Sequence, residues 1–324
     1  EKNAENTVTK TVKEDSTSQY GDSNNAQLGD TIEFSSTVTI VPRSVNVVIH
    51  DAMDSALTYT ANSLKIYTDK NHTSELNDSY YTINTTPDIG DTFTIKIQDT
   101  FAATATDNQT LYITYSATLN ASAITESKAI KDKITNTMNV SFGDASEATA
   151  ASTNTTTHKF EVLKFAKNDS EKKNLAGAVF QLKKDDSIVN LYKLDGTNYR
   201  VATETTTASS HVDNNNALTT VAINTVVSDF VTVDSGNIVI WGVDADSDYT
   251  LTEIKAPDGY NKLTAATSVA VAAENNTTIE IENATGAELP STGGVGTTIF
   301  YALGGLMFVG ALVLLVTNKR MKAE

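Results

Sequence analysis

The stretch TIEFSSTVTI, residues 31–40, alternates polar and apolar side chains, with Ile, Phe or Val at four of its five even-numbered positions. Successive side chains of a β-strand point to opposite faces of a sheet, so this period of two is typical of a half-buried strand. The alternation recurs in other segments rich in Thr, Val, Ile and Tyr, residues that suit a pleated surface. These segments cover residues 92–97, 111–115 and 277–281. The pattern predicts an all-β protein.

Short strands separated by Asn, Asp and Gly turns are typical of β-sandwiches, and a chain of 324 residues has room for two such domains. We therefore predict two tandem immunoglobulin-like β-sandwiches, over residues 1–150 and 158–285. A stretch rich in Thr, Ala, Ser and Asn at 145–157 has no apolar period and is predicted to link them. Residues 123–133 are predicted to form a short helix, and residues 204–216 a long polar loop.

The composition excludes several classes of protein. The net charge is −16 and no Lys/Arg cluster lies outside the C-terminal tail, so neither nucleic acid nor an anionic membrane surface is expected as a partner. Cysteine is absent, so disulfides cannot stabilise the domains. No motif resembles a hydrolytic triad or a phosphate-binding loop, and we predict a protein that is not an enzyme and uses no cofactor. The chain opens on Glu1 without a signal peptide, which indicates a mature form or a fragment.

No metal site is predicted either. Four histidines are scattered singly, without the spacing of metal ligands, and each is expected at the surface or in a linker. They are His50, His72, His158 and His211. Two acidic groups offer oxygen ligands for calcium, but turn residues before a strand explain them as well, and we favour that interpretation. The groups are Asp185–Asp186 and the alternating Asp244, Asp246 and Asp248.

Three features follow one another in the C-terminal segment, residues 286–324. A pentapeptide precedes an uncharged apolar run, predicted as a transmembrane helix over 295–317, and a basic tail that would stay on the cytoplasmic side. The pentapeptide is Leu289-Pro290-Ser291-Thr292-Gly293. An ordinary tail anchor with a chance pentapeptide is the less favoured interpretation. The order of the three features resembles the cell-wall sorting signal of Gram-positive LPXTG surface proteins.

This resemblance implies that a sortase cleaves between Thr292 and Gly293 and joins the new carboxyl group to an amine. Membrane insertion would then be transient. The mature protein would be attached to peptidoglycan at the outer surface of a Gram-positive cell.

Two stretches of the second domain are specific, LAGAVFQL at 175–182 and YTLTEIKAPDGY at 249–260. Together they resemble the collagen-adhesin B-type domain of Gram-positive pilins and adhesins, over roughly residues 158–285. The resemblance implies a spontaneous isopeptide bond between a lysine on the first strand and an asparagine on the last, promoted by a glutamate. The matching residues are Lys164, Asn283 and Glu253.

The local sequence around these residues suits the chemistry. Lys164 stands between Leu163 and Phe165, and burial there would lower its pKa and free the amine as a nucleophile. An apolar setting would raise the pKa of Glu253, so that a protonated carboxyl could polarise the Asn283 carbonyl and shuttle protons. Each residue taken alone has a simpler explanation, since most strand lysines and glutamates are solvated.

The first domain carries weaker motifs that resemble the domains of major pilins, relatives of the same collagen-adhesin set. They are VTKTV at 8–12, GDTIEF at 29–34, VVIHDAM at 47–53 and ITNTMNV at 134–140. The resemblance implies a second isopeptide bond, from Lys10 to Asn136 with Asp51 as the promoting acid. Lys13 and Asn139 remain rivals, each on the other face of its strand because of the odd spacing. Tyr112 and Tyr115 are candidates for aromatic packing around this bond.

The resemblances together imply a shaft subunit of a sortase-assembled pilus, covalently joined to other pilin subunits. In each domain the bond is expected to join the first strand to the last. A wall-anchored adhesin or accessory pilin that binds a host or surface ligand is the alternative. Shaft pilins usually carry a YPK motif whose lysine accepts the next subunit, and this chain lacks it. Lys2 lies near the expected place without the Tyr-Pro context.

Overall fold

Strands make up nearly all the regular structure in residues 6–87, 90–143 and 145–286, the part of the chain that the computed structural model describes. The expectation of an all-β protein is confirmed. The stretch that predicted it forms a single strand, Thr31–Ile40, and every even-numbered side chain of that strand is buried. The other three alternating segments also lie in strands.

The described residues between 6 and 156 build a first pair of sheets. One sheet has the strand order β2-β1-β4-β10-β6, with β7 also paired to β10, and the other has the order β3-β12-β11-β5-β9-β8. The strands are β1 (Thr7–Lys13), β2 (Tyr20–Gly21), β3 (Ser23–Asn25), β4 (Thr31–Ile40), β5 (Val48–Met53), β6 (Leu57–Tyr59), β7 (Lys65–Tyr67), β8 (Tyr81–Asn84), β9 (Phe93–Ile97), β10 (Gln109–Leu119), β11 (Ile134–Phe142) and β12 (Ala145–Thr156). Short helical pieces are α1 (Asp99–Ala102) and the 3-10 turns Asp78–Tyr80 and Ala121–Ala123.

Two local predictions for this part of the chain are wrong. The expected linker forms β12, which pairs antiparallel with β11 and parallel with β3. Threonine favours strands, and its hydroxyl can be satisfied inside a sheet, as when Thr155 Oγ1 donates to Asn24 Oδ1 at 2.8 Å. The helix expected at 123–133 is replaced by a turn in which Ile124 and Ile130 form an isolated bridge. A helix of this length is marginal without packing to support it.

The remaining strands build a second pair of sheets, with the orders β18-β16-β17-β20-β13-β23 and β15-β14-β21-β22, where β19 also pairs with β14. The predicted loop at 204–216 carries no strand or helix. The strands are β13 (His158–Ala166), β14 (Val179–Lys184), β15 (Ser187–Ile188), β16 (Leu191–Lys193), β17 (Asn198–Val201), β18 (Thr225–Val227), β19 (Phe230–Val231), β20 (Ile238–Val243), β21 (Tyr249–Lys255), β22 (Thr267–Val269) and β23 (Thr278–Asn283).

The two pairs of sheets meet through the turn that follows β3. Leu28 is 1 % exposed, and its backbone N–H donates to Gly242 O at 2.9 Å. Gly242 has a φ of +82°, and a Cβ at this position would lie 2.4 Å from Leu28 Cδ1. Glycine is required there by both the backbone conformation and the leucine side chain. Tyr249 Oη reinforces the junction by donating to Gln27 Oε1 at 2.8 Å.

The C-terminal predictions fall outside the described residues. These are the pentapeptide 289–293 and the transmembrane helix over 295–317. Within the described ranges, which end at residue 286, no helix has the length and apolar character needed to cross a bilayer.

Candidate functional site

Lys10 lies on the buried face of β1. Burial alternates along this strand, so Lys10 shares its inward face with Val8 and Val12 and is only 4 % exposed. Lys13 lies on the opposite face, where its Nζ is 3.0 Å from Glu33 Oε2. The structure thus separates the two lysines that the sequence left as rivals, since only Lys10 points into the sandwich.

Lys10, Asp51 and Asn136 are brought together around the hydroxyl of Tyr115. Asp51 on β5 and Asn136 on β11 are fully buried, and their strands are neighbours in the other sheet of the pair. Lys10 Nζ donates to Asp51 Oδ2 at 2.6 Å and also contacts Tyr115 Oη. The Tyr115 hydroxyl donates to Asp51 Oδ2, and Asn136 Nδ2 donates to Tyr115 Oη at 3.2 Å. A closed polar cluster results.

Asn136 belongs to the inward face of β11, whereas Asn139 lies on the other face and is partly exposed. The strand that carries Asn136 is not the last one of its sheet pair, because β12 follows it and pairs along its length. The expectation that both partners lie on terminal strands is therefore wrong for this pair of sheets. The physical reason is that the stretch expected to be a linker continues the sheet.

Burial dominates the electrostatics of this cluster. It lowers the pKa of Lys10, although the Asp51 carboxylate partly opposes the change. Burial also raises the pKa of Asp51, by more than the contact with Lys10 lowers it. Both shifts favour an uncharged amine beside a protonated carboxyl group. Such an amine can act as a nucleophile.

Aromatic rings enclose the cluster. The Tyr115 ring stacks on Phe34, with centroids 5.3 Å apart, and meets Phe93 edge-on at 5.0 Å. Lys10 Nζ lies 4.8 Å from the Tyr115 centroid and 5.2 Å from that of Phe34. Tyr112 is on the other face of β10, and its ring is 6.4 Å from that of His72. Of the two tyrosines considered for packing, only Tyr115 reaches the cluster.

The second pair of sheets holds a corresponding set of residues. Lys164 on β13 lies opposite Ile281 on β23, which runs parallel to β13 and carries Asn283 near its end. Glu253 comes from β21 in the facing sheet. Lys164, Glu253 and Asn283 are each no more than 2 % exposed. Here the lysine and the asparagine do lie on the first and last strands of the pair.

The hydrogen bonds of this set differ from those around Tyr115. Asn283 Nδ2 donates to both carboxylate oxygens of Glu253, at 3.0 Å each, and to Asn261 O at 2.8 Å. Glu253 Oε2 also accepts from the backbone N–H of Leu263 at 2.7 Å. Lys164 Nζ donates to Ile281 O at 3.2 Å. The acid thus holds the amide group directly, and backbone carbonyls hold the amine.

The Lys164 amine is perturbed in the same direction as that of Lys10. Burial lowers its pKa to about 8, against the opposing charges of Glu253 and Glu282. The uncharged amine is therefore more populated near neutral pH than that of an ordinary lysine, although the protonated form still predominates. The carbonyl oxygens of Asn136 and Asn283 are both buried without a hydrogen-bond partner, so both amides have an unused acceptor.

Several of the other polar groups considered from the sequence have local partners. His158 and His211 are buried, not exposed, because each ring bonds inside the fold, His211 Nδ1 at 2.8 Å from Asp229 Oδ1. Asp244 accepts from Asp246 N at 2.9 Å, as expected of a turn. Its carboxylate forms a group with those of Asp15 and Asp30, whose oxygens lie within 4.8 Å of one another.

Comparisons with known proteins identify two parts of the chain. Residues 161–285 match the SpaA prealbumin-like fold domain, and residues 281–323 match the LPXTG cell wall anchor motif. No curated protein sequence matches the chain. The anchor motif points to a cell-wall-anchored surface protein of a Gram-positive bacterium.

Solved structures of pilus proteins share the fold. The group B streptococcus pilus 2b backbone protein is 22 % identical over 87 % of this chain and 99 % of its own, with a TM-score of 0.58. A 35 kDa C-terminal fragment of the major pilin GBS80 of Streptococcus agalactiae is 19 % identical over 86 % of this chain and 100 % of its own, with a TM-score of 0.58. The pilus backbone RrgB of Streptococcus pneumoniae is 15 % identical over 87 % and 100 %, with a TM-score of 0.56.

These sequence identities are low, and the similarity is one of fold. The chain carries a prealbumin-like fold domain and an LPXTG cell wall anchor motif, and it is a cell-wall-anchored surface protein built like the Gram-positive major pilins.

Proposed function

We propose that this protein is a shaft subunit of a sortase-assembled pilus, and that each pair of sheets forms a domain locked by a Lys–Asn isopeptide bond. The observation that carries the proposal is the burial of a lysine, a carboxylic acid and an asparagine together in both pairs of sheets. Burying a charge is costly, and a protein gains from neutralising or consuming it. In this proposal β1–β12 form the first domain, β13–β23 the second, and residues 286–324 the sorting segment.

The proposed reaction joins Lys10 to Asn136 and Lys164 to Asn283. The uncharged Nζ attacks the amide carbon Cγ, a new C–N bond forms, and the bond from Cγ to Nδ2 breaks. One proton passes from Nζ to the departing nitrogen, which leaves as ammonia. No atom is oxidised or reduced, so no cofactor is required.

The acids have two tasks in this reaction. Asp51, 2.6 Å from Lys10 Nζ, is placed to take the proton from the ammonium group and leave the amine free. A protonated acid can next donate to the amide oxygen, which in both domains is buried without a partner. Glu253 already contacts the amide group of Asn283 and can deliver the proton that the leaving nitrogen needs.

The bonds would replace the disulfides that this cysteine-free chain lacks. By analogy with disulfides, closing a loop of about 120 residues removes unfolded-state entropy worth roughly 4–5 kcal/mol. An amide bond is not reduced, unlike a disulfide. In the second domain it would fasten β23 to its parallel neighbour β13, so tension that enters at one strand would pass to the other without separating them.

The sorting segment supplies the polymerising end of this proposal. The match of residues 281–323 to the LPXTG anchor motif supports cleavage after Thr292 and transfer of its carbonyl to an amine on the next subunit or on peptidoglycan. The similarity in fold to pilus backbone proteins favours a shaft subunit. An adhesin that presents its tandem domains to a host or surface ligand is the second candidate.

A ladder of covalent polymers separates these two functions. Wall extracts of the producing cell, boiled in detergent and probed with antibody to this chain, are expected to contain regularly spaced high-mass bands. Thr292→Ala should remove the ladder because the acyl donor is lost. Ser291→Ala is the matched control, since the third position of the LPXTG motif is variable, and should keep it. A single monomer-sized species in the unaltered strain would refute the shaft function and favour the adhesin.

A further inference from the structure

The two candidate sites differ in what the acid touches. Asp51 contacts the lysine amine, and no hydrogen bond joins it to Asn136 among the described residues. Glu253 contacts the asparagine amide through both oxygens and forms no ion pair with Lys164 in the same part of the chain. Both reactions nevertheless need a proton delivered to the leaving nitrogen. The first site must therefore reach that nitrogen through another group.

The hydroxyl of Tyr115 is the group that spans the gap. It lies between Asp51 Oδ2, to which it donates, and Asn136 Nδ2, from which it accepts at 3.2 Å. It also contacts Lys10 Nζ. A phenol has one proton to donate and two lone pairs to accept with, so these three contacts use its whole capacity.

The surrounding fold holds this hydroxyl in place. Tyr115 is 3 % exposed, on β10, directly opposite Phe34 on β4. Its ring is fixed by the stacked Phe34 and by the edge of Phe93. Burial, reinforced by the negative charge of Asp51, raises the pKa of Tyr115 well above its ordinary value. The phenol therefore stays protonated and able to donate.

We propose that Tyr115 is a catalytic residue of the first-domain bond: its hydroxyl carries the proton from Asp51 to the leaving nitrogen of Asn136. This inference rests on the proposed function, and it assigns to tyrosine in the first domain the contact that Glu253 makes directly in the second. If Tyr115 were needed only for packing, its ring would be sufficient and removal of the hydroxyl would not slow bond formation.

The steps balance as a proton relay. Lys10 gives one proton to Asp51, and the uncharged amine attacks Cγ of Asn136. The amide nitrogen then regains a lone pair, because the carbon has become tetrahedral. Tyr115 donates its proton to that nitrogen while Asp51 returns one to the phenol oxygen. The nitrogen now carries three hydrogens and leaves as ammonia when the carbonyl re-forms, and the surplus proton of the new amide passes to Asp51.

Tyr115→Phe tests this directly, because it keeps the ring against Phe34 and Phe93 and removes only the hydroxyl. The full chain is expressed without a sortase, pulse-labelled and digested, and the cross-linked Lys10–Asn136 peptide is followed by mass spectrometry. Loss of a general acid typically slows a reaction by about 100-fold or more. We expect a slowing of that order for the first-domain bond, with the Lys164–Asn283 peptide forming at the unaltered rate in the same molecules.

Two control variants separate chemistry from packing. Tyr112→Phe removes a hydroxyl from the other face of the same strand and should form both bonds normally. Phe34→Leu loosens the ring stack but keeps the Tyr115 hydroxyl, and it should slow the bond far less than Tyr115→Phe.

Equal rates in Tyr115→Phe and the unaltered chain would overturn the inference, and so would equal slowing by Phe34→Leu. If the unaltered chain itself yields no Lys10–Asn136 peptide, it is the proposed first-domain bond that fails. The two failures are therefore distinguishable.

Discussion

Replacing Glu253 by Gln is expected to abolish the Lys164–Asn283 bond and to leave the first domain bonded. Glutamine has nearly the same shape and can still contact Asn283, but it cannot take up and return a proton. The mass deficit relative to the variant's own sequence should shrink from two molecules of ammonia to one. The second domain should then unfold at lower denaturant, with a loss of roughly 4–5 kcal/mol if the bond acts as an unfolded-state constraint. Intact mass spectrometry and denaturant unfolding measure the two effects.

Glu282→Gln is the matched control for this variant. Glu282 precedes Asn283 on β23, but its side chain is 52 % exposed and lies 4.0 Å from Lys167. Its removal should change neither the mass deficit nor the unfolding midpoint appreciably. Complete bond formation in Glu253→Gln would remove Glu253 from the promoting role.

Asp51→Asn is expected to destabilise the first domain more than a variant that only prevents its isopeptide bond. The variant removes the proton acceptor, a carboxyl oxygen that lies 2.6 Å from the buried Lys10 Nζ. Removing one partner of a buried hydrogen bond typically costs about 1–3 kcal/mol, because the remaining polar group is left unsatisfied. Asn136→Ala also prevents the bond but keeps the Lys10–Asp51 contact. Asp51→Asn should therefore be the less stable of the two in denaturant unfolding.

Glu33→Gln provides the comparison at the surface. It breaks the exposed pair with Lys13, and exposed pairs contribute little to stability. Its unfolding midpoint, and its mass deficit relative to its own sequence, should match those of the unaltered chain. If Asp51→Asn keeps the bond, or proves as stable as Asn136→Ala, the role given to this carboxylate is wrong.

The alternating apolar pattern predicted much of the fold, because a half-buried strand imposes that pattern on its sequence. The strand at 31–40 was predicted to the residue. The pattern failed for β12, where the inward positions include Thr153 and Thr155, which are buried yet polar. Threonine is not counted as an apolar residue in such a pattern. The burial of Thr155 is explained only by its tertiary contact with Asn24.

The site residues were predicted from the family motifs. Because β1 buries its even-numbered positions, the alternation of side chains along a strand places Lys10 on the buried face and Lys13 on the other face. What the sequence could not reveal is which groups touch one another. Tyr115 shares the alternating inward face of β10, so its burial was predictable, but its hydroxyl reaches Asp51 only through the packing of two sheets. Glu253 and Asn283 bond to backbone groups, and a backbone partner cannot be predicted from the identity of the residue that carries it.

The central claim is that each domain closes its own amide bond, and the intact mass of the full chain tests it most directly. The chain should be expressed without a sortase, purified in detergent and measured under denaturing conditions. We expect a mass below that of the sequence by two molecules of ammonia, with cross-linked peptides joining Lys10 to Asn136 and Lys164 to Asn283. A mass equal to that of the unmodified sequence would contradict the account.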